Sequence, residues 1–498
     1  MPNPFTQVRV RYAPSPTGFL HIGNLRTALF NWLFAKKHGG TFVLRIEDTD
    51  RARFVEGGIE NICRSLKATG VIPDEGIWLD DEDKIIERGA FAPYLQSKRR
   101  EKHLAYAEKL IAEDKAYYCF CSSERLEELR KSQELMKQPT MYDGKCRTLD
   151  KDEAAQRATA GESHVIRLKL PKEGTIKIND LIRGEIEFQW KLIDDQVIVK
   201  SDGYPTYHLA AMCDDHDMEI SHVIRGEEWL SSLPKHVFIY QALGWEPPQY
   251  AHLPLLLNPD RSKLSKRQGD VAVEDYLNKG YLPAALINFI ALLGWNPSGE
   301  REIYTPEELA GEFELEKVNK GGAVFNLEKL DWLNEHYLKS LSQDEYLALT
   351  LSFIQSRSDD QNFCRRAVLL VRDRVHLPSQ VAELTDFLFV DTQDYSSVSL
   401  TWKNQDKEQA VERLEAVKDL IGAWNDSYFE IGNGRLKIES AIKQLIADQT
   451  WGNGDTLWPV RVALSGLEKS PGPFELIETY GKEYSLKRLE EAIDFLNK

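Results

Sequence analysis

Hydrophobic spacing divides the chain into two textures. Residues 8–12 alternate with period two and predict a strand. Residues 25–37 then place Leu25, Ala28, Leu29, Trp32 and Leu33 at helical intervals. Strand-like 41–47 precedes a helical pattern at 54–68, where Ile59, Ile62 and Leu66 share one face. Residues 73–83 are rich in acids and read as a loop, and 99–116 as a helix whose apolar face carries Leu104, Ala107 and Leu110. Alternation returns at 164–170, 175–179 and 184–190, then at 196–200 and 222–225, with helical patterns at 205–212 and 231–243. A charged helix is expected at 123–136, with Ser123 as its cap. Beyond residue 283 the pattern turns helical. Thr305-Pro306-Glu307-Glu308 and Ser342-Gln343-Asp344-Glu345 both read as helix starts with a reciprocal cap. From about residue 326 only helical periods remain: 346–354, 364–374, 379–389, 407–424, 438–446, 457–465 and 486–496.

Strands alternating with helices predict an α/β fold with a parallel sheet, followed by an all-helical region. Texture changes place boundaries near 99/100, 190/191 and 325/326, with α/β texture on either side of an α+β insertion at 100–190 and one or two helical subdomains at 326–498.

Composition narrows the class. A chain of 498 residues, 42% hydrophobic and 29% charged, has the make-up of a multidomain globular protein. No stretch approaches the length of a membrane span, no signal peptide opens the chain, and six cysteines are too few for a disulfide scaffold. These features fit a cytoplasmic setting with no membrane partner. A net charge of −16 argues against non-specific nucleic-acid binding, so no DNA partner is expected. It leaves room for a local basic surface.

Three stretches carry candidate chemistry. Between the first strand and its helix lies Arg11-Tyr-Ala-Pro-Ser-Pro-Thr-Gly-Phe-Leu-His-Ile-Gly-Asn24. This rigid turn delivers the chain to a helix N-terminus, where free N–H groups and the helix dipole suit a nucleotide phosphate. His21 sits where that helix should begin. Residues 261–267 carry four basic side chains, including Lys263 and Lys266, on a loop with little to bury. With His21 and Gly23 they could flank a triphosphate. The third stretch holds Cys119, Cys121, Tyr142 and Cys146. Thiolates at this spacing can make a zinc knuckle, with the tyrosine oxygen as an uncommon fourth donor; half-buried cysteines in a small apolar cluster are the alternative.

Taken together, Phe19–Asn24, Arg45-Ile46-Glu47-Asp48-Thr49-Asp50-Arg51, Tyr204-Pro205-Thr206-Tyr207-His208-Leu209-Ala210 and Lys263-Leu264-Ser265-Lys266, in this order, resemble a class I aminoacyl-tRNA synthetase. The closest resemblance is to the bacterial-type glutamyl-tRNA synthetases, over essentially the full length. The resemblance implies a Rossmann-like catalytic domain (1–99 with 191–254), an insertion facing the tRNA acceptor arm (100–190), a stem-contact segment carrying the lysine loop (255–325) and a helical anticodon-binding cage (326–498). It implies ATP with Mg²⁺ and one structural Zn²⁺ as a further expectation. The partners would be L-glutamate and tRNA(Glu), with tRNA(Gln) open as a second acceptor, and the state monomeric. His21, Lys263 and Lys266 would be catalytic. Thr17, Gly18, Gly23 and Asn24 would join His21 and Lys266 around the nucleotide. Arg11 and Arg225 would grip substrate carboxylates, Arg11 the γ-carboxylate, because a guanidinium fork fixes both oxygens. Ala13 and Ser15 would leave room along the pocket, Glu47 would accept from the α-amino group, Tyr207 would close the pocket and donate a hydrogen bond, and Glu228 would support these from behind. In the cage, Arg365, Arg366, Arg372 and Arg374 are candidate tRNA contacts.

Other readings differ in testable ways. Glutaminyl-tRNA synthetases share the α/β half but end in β-barrels, whereas this tail reads helical. A truncated paralogue that glutamylates a modified base would lack residues beyond about 300, which this chain has. A small-molecule nucleotidyltransferase would need no RNA, and a catalytically dead tRNA-binding scaffold would not need His21, Lys263 and Lys266.

Overall fold

The computed structural model describes residues 7–264, 272–297, 299–429 and 434–498. Contacts divide the chain into two compact units. One comprises Met1–Asn278 with Pro283–Leu330, the other Lys279–Leu282 with Asp331–Lys498.

The strands of the first unit are β1 (Arg9–Tyr12), β2 (Thr41–Leu44), β3 (Glu75–Leu79), β4 (Ile85–Arg88), β5 (Ala116–Cys119), β6 (Val165–Leu168), β7 (Thr175–Asp180), β8 (Gly184–Gln189), β9 (Val197–Val199), β10 (His222–Gly226) and β11 (Gln249–Leu253). Its helices include α1 (Ile22–Lys37), α2 (Gly58–Ala68), α3 (Arg100–Ala112), α4 (Ser123–Leu135), α5 (Lys151–Thr159), α6 (Tyr207–Asp217) and α7 (Leu233–Ala242). The main sheet runs β4-β3-β2-β1-β10-β11-β7-β8. Pairs from β3 through β7 are parallel, and an antiparallel strand closes each edge. The α/β expectation therefore holds. β1 lies between β2, which follows it in sequence, and β10, some two hundred residues later. That reversal opens a crevice beyond the strands' C-terminal ends, where open α/β sheets place their ligands.

Val10, Phe42, Val43, Leu44, Val223 and Ile224 are completely buried, so the middle strands read as continuous apolar runs, as a sheet covered on both faces requires. β1 and α1 are tied to their neighbours by polar bonds as well. Asn31 of α1 donates to the Ile224 carbonyl of β10 at 3.0 Å, and the Arg45 N–H reaches the Tyr12 carbonyl at 3.1 Å.

Residues 73–83, expected as a loop, contain β3. Its glycine gives the physical reason. Gly76 has φ 118°, and a Cβ there would lie 2.0 Å from the Leu44 carbonyl oxygen, so only glycine lets β3 pair this closely with β2. The helix cap at α4 also falls one residue earlier than expected: Ser122, not Ser123, accepts from the Arg125 N–H. In a second sheet β6 pairs with β5 on one side and β9 on the other. β7 and β8 extend the main sheet instead, through Tyr250 opposite Asp180.

The second unit is helical in its described residues. A core of Tyr346, Phe363, Leu414, Ile438, Val460, Leu476 and Leu489, among others, joins helices as far apart as Gln343–Thr350 and Pro473–Leu496. Both expected reciprocal caps form, at Thr305 in the first unit and Ser342 in the second. Of the four arginines expected to meet RNA, two are committed to the chain itself. Arg366 donates to the Thr479 carbonyl at 2.8 Å, and Arg372 to the carbonyls of Lys339 and Leu341. Arg365 and Arg374 are exposed.

Candidate active site

The turn after β1 is held from two sides. Glu47 N–H donates to the Pro14 carbonyl at 3.0 Å and Val55 N–H to the Pro16 carbonyl at 2.9 Å. Residues leaving β1 and β2 thus converge on one crevice, and the end of β10 completes it. The crevice is a cavity of about 610 Å³. Arg11, Ala13, Ser15, Thr17, Asn24, Glu47, Tyr207, Arg225 and Glu228, all anticipated from the sequence, line it.

Arg11 and Glu47 belong to a buried charge network. Arg11 donates through Nε to Asp215 at 3.1 Å, and this is its one ion pair among the described residues. Arg45, wholly buried, reaches Asp215 at 2.8 Å and Glu47 at 3.0 Å. Burial pulls the Arg45 guanidinium down, but Asp215, Glu47 and Asp214 more than reverse this and leave it firmly protonated. Burial pushes the Glu47 carboxyl up to about 7, against the pull of Arg45 and Arg11. Asp214, next to Asp215 on α6, accepts from Gln96 at 2.8 Å, Arg99 at 2.5 Å and His103 at 2.8 Å. Asp214 and Asp215 were not anticipated. In sequence they belong to an acidic run that reads as a solvated helix end, yet both are buried.

Arg225 is bound differently. It is buried, and its donors reach His252 Nε2 at 3.1 Å, the Tyr207 hydroxyl at 3.0 Å and His236 Nδ1 at 3.1 Å. No carboxylate pairs with it among the described residues. The Tyr207 ring packs on Trp229 with centroids 4.0 Å apart, which fixes its hydroxyl over Arg225. Tyr207 thus accepts from Arg225, leaving its own proton directed elsewhere. Glu228 is exposed at the cavity rim.

Of the nucleotide-end residues, Thr17 and Asn24 line the cavity, and Gly18, His21 and Gly23 lie beside it. His21 caps α1, and its Nδ1 accepts from the Gly23 N–H at 2.9 Å. A Cβ on Gly23 would stand 3.3 Å from that same nitrogen, so the glycine leaves room for the cap. Gly18 completes the turn before it. Lys263 is exposed, and its backbone bridges Leu257. Lys266 lies outside the described residues. The chain on either side of that loop returns to the first motif: a Cβ on Gly23 would lie 3.9 Å from Leu256, Ala272 bridges His21, and Val273 N–H donates to the Leu20 carbonyl.

Away from the cavity, the sulfurs of Cys119, Cys121 and Cys146 lie within 4.8 Å of one another. The Tyr142 oxygen stands 3.4 Å from both Cys119 and Cys121, and Cys121 and Cys146 are 3.6 Å apart. Tetrahedral zinc with bonds of about 2.3 Å to sulfur needs sulfurs roughly 3.8 Å apart, so the four groups fit one ion. Arg125 donates to the Cys121 sulfur at 3.4 Å, while burial pushes that thiol up to about 11.

A crevice at the strand reversal, with two arginines and a carboxylate at its floor and a capped helix beside it, is what a family model described as the catalytic domain of class I tRNA synthetases (E and Q) matches over residues 7–332. A second, described as an anticodon binding domain, matches residues 333–493. The chain belongs to the class I tRNA synthetases of the E and Q group.

Among its relatives is the glutamate–tRNA ligase of Clostridioides difficile, 42% identical over 97% of this chain and 98% of that protein. That of Chloroherpeton thalassium is 44% identical over 98% of both chains. A crystal structure of a glutamate tRNA ligase from Elizabethkingia meningosepticum, in complex with its amino acid, superposes with a TM-score of 0.86 at 35% identity. The match covers 98% of this chain and all of that one.

Proposed function

We propose that this chain ligates L-glutamate to tRNA(Glu) in two ATP-dependent steps. The observation that carries the proposal is the cavity floor, where two buried guanidiniums and one carboxylate meet. Glutamate offers two carboxylates and an ammonium, the complementary set. Arg11 takes the γ-carboxylate, Arg225 assists, and Glu47 accepts from the α-ammonium. Ala13 and Ser15 leave room for the substrate.

The α-carboxylate of glutamate attacks the α-phosphorus of Mg²⁺-bound ATP, forming glutamyl-adenylate and releasing pyrophosphate. No general base is required, because this carboxylate is ionised at neutral pH. Charge building on the phosphates is met by Lys266, with Lys263 beside it and His21, Gly23, Asn24, Thr17 and Gly18 at the N-terminus of α1. The 2′-hydroxyl of the terminal adenosine of tRNA then attacks the acyl carbon, and AMP departs.

Around this chemistry, residues 100–190 serve the acceptor arm, 255–325 the stem and 326–498 the anticodon, with the enzyme acting as a monomer. Cys119, Cys121, Cys146 and the Tyr142 oxygen hold a structural zinc ion, which would steady the acceptor-side insertion. All six cysteines are unpaired, and no helix among the described residues is long and apolar enough to cross a membrane, in keeping with a reducing cytoplasmic setting.

The test is transfer of labelled glutamate, with ATP and Mg²⁺, to purified tRNA(Glu) and separately to tRNA(Gln). Charging of tRNA(Glu) is the expected result. Charging of tRNA(Gln) as well would make the enzyme non-discriminating. Charging of neither overturns the proposal.

A further inference from the structure

The hydrogen bonds around Arg225 fix the protonation of three histidines. A guanidinium only donates, so the ring nitrogens that face it must present lone pairs. His252 therefore accepts at Nε2 and carries its proton on Nδ1, which donates to Asp180 Oδ2 at 2.7 Å. His236 accepts at Nδ1 and carries its proton on Nε2, which donates to His208 Nδ1 at 3.0 Å. His208 then holds its own proton on Nε2. Two relays run outward from Arg225, one ending on a buried carboxylate and the other on an imidazole lining the cavity.

Burial reinforces this arrangement. It lowers His252 to about 4 and His208 to about 3, and takes His236 well below the ordinary histidine range, with the charge of Arg225 adding to each shift. Burial pushes the Asp180 carboxyl up, but the His252 N–H and the backbone N–H groups of Arg183 and Ile182 more than offset it. Asp180 is thus an ionised acid separated from Arg225 by one neutral ring. The cationic neighbours are Lys235, which faces His236 and His208, and Arg183, which faces His252.

Arg11 and Arg45 are held differently. Those two are oriented by carboxylates, which cancel their charge. Arg225 is oriented by three neutral acceptors and keeps its charge, while two of its five N–H bonds meet no acceptor among the described residues. We propose that His236 and His252 are positioning residues that orient Arg225 through lone pairs, so that its uncancelled charge selects an amino acid with an anionic side chain over the corresponding amide. This rests on the glutamate reading of the cavity. Glutamine would fill the same space but leave a buried cation unpaired, and a site that leaves a buried charge unpaired rejects the analogue responsible.

Charge and geometry separate in one pair of variants. In His236→Asn the side-chain oxygen takes the place of Nδ1 as a neutral acceptor. His236→Asp has the same shape and adds a charge that cancels Arg225. With the full-length protein and tRNA(Glu), kcat/KM is measured for glutamate and glutamine, together with KM for ATP.

H236N is expected to keep the wild-type preference for glutamate. H236D is expected to lower it roughly tenfold or more, as loss of one charge-assisted contact implies, with KM for ATP unmoved in both. Equal preferences in H236N and H236D would overturn the proposal. Absence of any glutamate preference in the wild-type protein would sink the glutamate reading instead, so the two failures are distinguishable. A second measurement needs no variant. In ¹⁵N-histidine spectra of the wild-type protein at pH 7, His252 should show the Nδ1–H tautomer and His236 and His208 the Nε2–H tautomer. An imidazolium at His252 or His236 would overturn the proposal even if the variants failed to fold.

Discussion

Replacing Asp215 by Asn would test the buried charge network most directly. The change keeps the shape and removes one charge from a carboxylate that is itself buried. Its two ion pairs, to Arg11 at 3.1 Å and Arg45 at 2.8 Å, are worth about 5 and about 6 kcal/mol at an effective dielectric constant near 20. Much of this is returned, because Asn costs far less to bury than an ionised Asp. Arg45 also keeps Glu47 at 3.0 Å and Asp214 at 4.0 Å. Arg11 keeps no ion pair among the described residues and still faces the repulsion of Arg45. Leaving one buried charge without its partner costs about 3–5 kcal/mol, so the first unit should lose roughly that much. Denaturant unfolding of wild type and D215N at pH 7 measures it. Because Asp215 also aims Arg11 into the cavity, KM for glutamate should rise while KM for ATP holds. A loss below about 1 kcal/mol would show that water reaches the cluster and would refute its description as a buried, charge-balanced unit.

Two further outcomes follow from the site. Glu47 must be ionised to accept an ammonium, and burial raises it to about 7, so KM for glutamate at pH 6 should exceed that at pH 8 by about tenfold, with the step lost in Glu47→Gln. The stability sign is fixed by the same shift: the folded carboxyl holds a proton that the unfolded one has released, so this group's contribution to stability falls as pH rises from about 4.5 to about 7. For the thiol cluster, protein made in zinc-replete medium should carry about one zinc per chain by mass spectrometry, Cys146→Ser should lose it without moving KM for ATP, and metal-free wild-type protein would disprove the zinc assignment.

Much of the cavity is legible in the sequence because its residues stand in short runs at strand ends. Arg11 to Asn24 spans a strand, a turn and a helix start, and Glu47 and Arg225 each close a strand, so local pattern already placed them at one end of a sheet. The residues behind them were not legible. Asp215 and Asp214 sit in an acidic run that reads as solvent-exposed, and His236 and His252 lie in apolar stretches where a histidine reads as filler. Nothing in the local spacing of residues shows that His252 on β11 falls opposite Arg225 on β10 in the strand register.

The sequence by itself determined the alternation of strands and helices, the helical C-terminal third, the two reciprocal caps and the motifs that line the crevice, because each is written in neighbours a few positions apart. Only the tertiary structure decided the order of strands in the sheet, the pairing of β3 across Gly76, the enrolment of β7 and β8 in the main sheet and the partners that set each arginine's charge. These depend on contacts between residues up to two hundred positions apart, such as Arg11 and Asp215. A strand's pattern shows which of its faces is buried, but backbone pairing is indifferent to sequence distance. Whether a buried arginine meets a carboxylate or an imidazole is therefore settled only when the sheet closes.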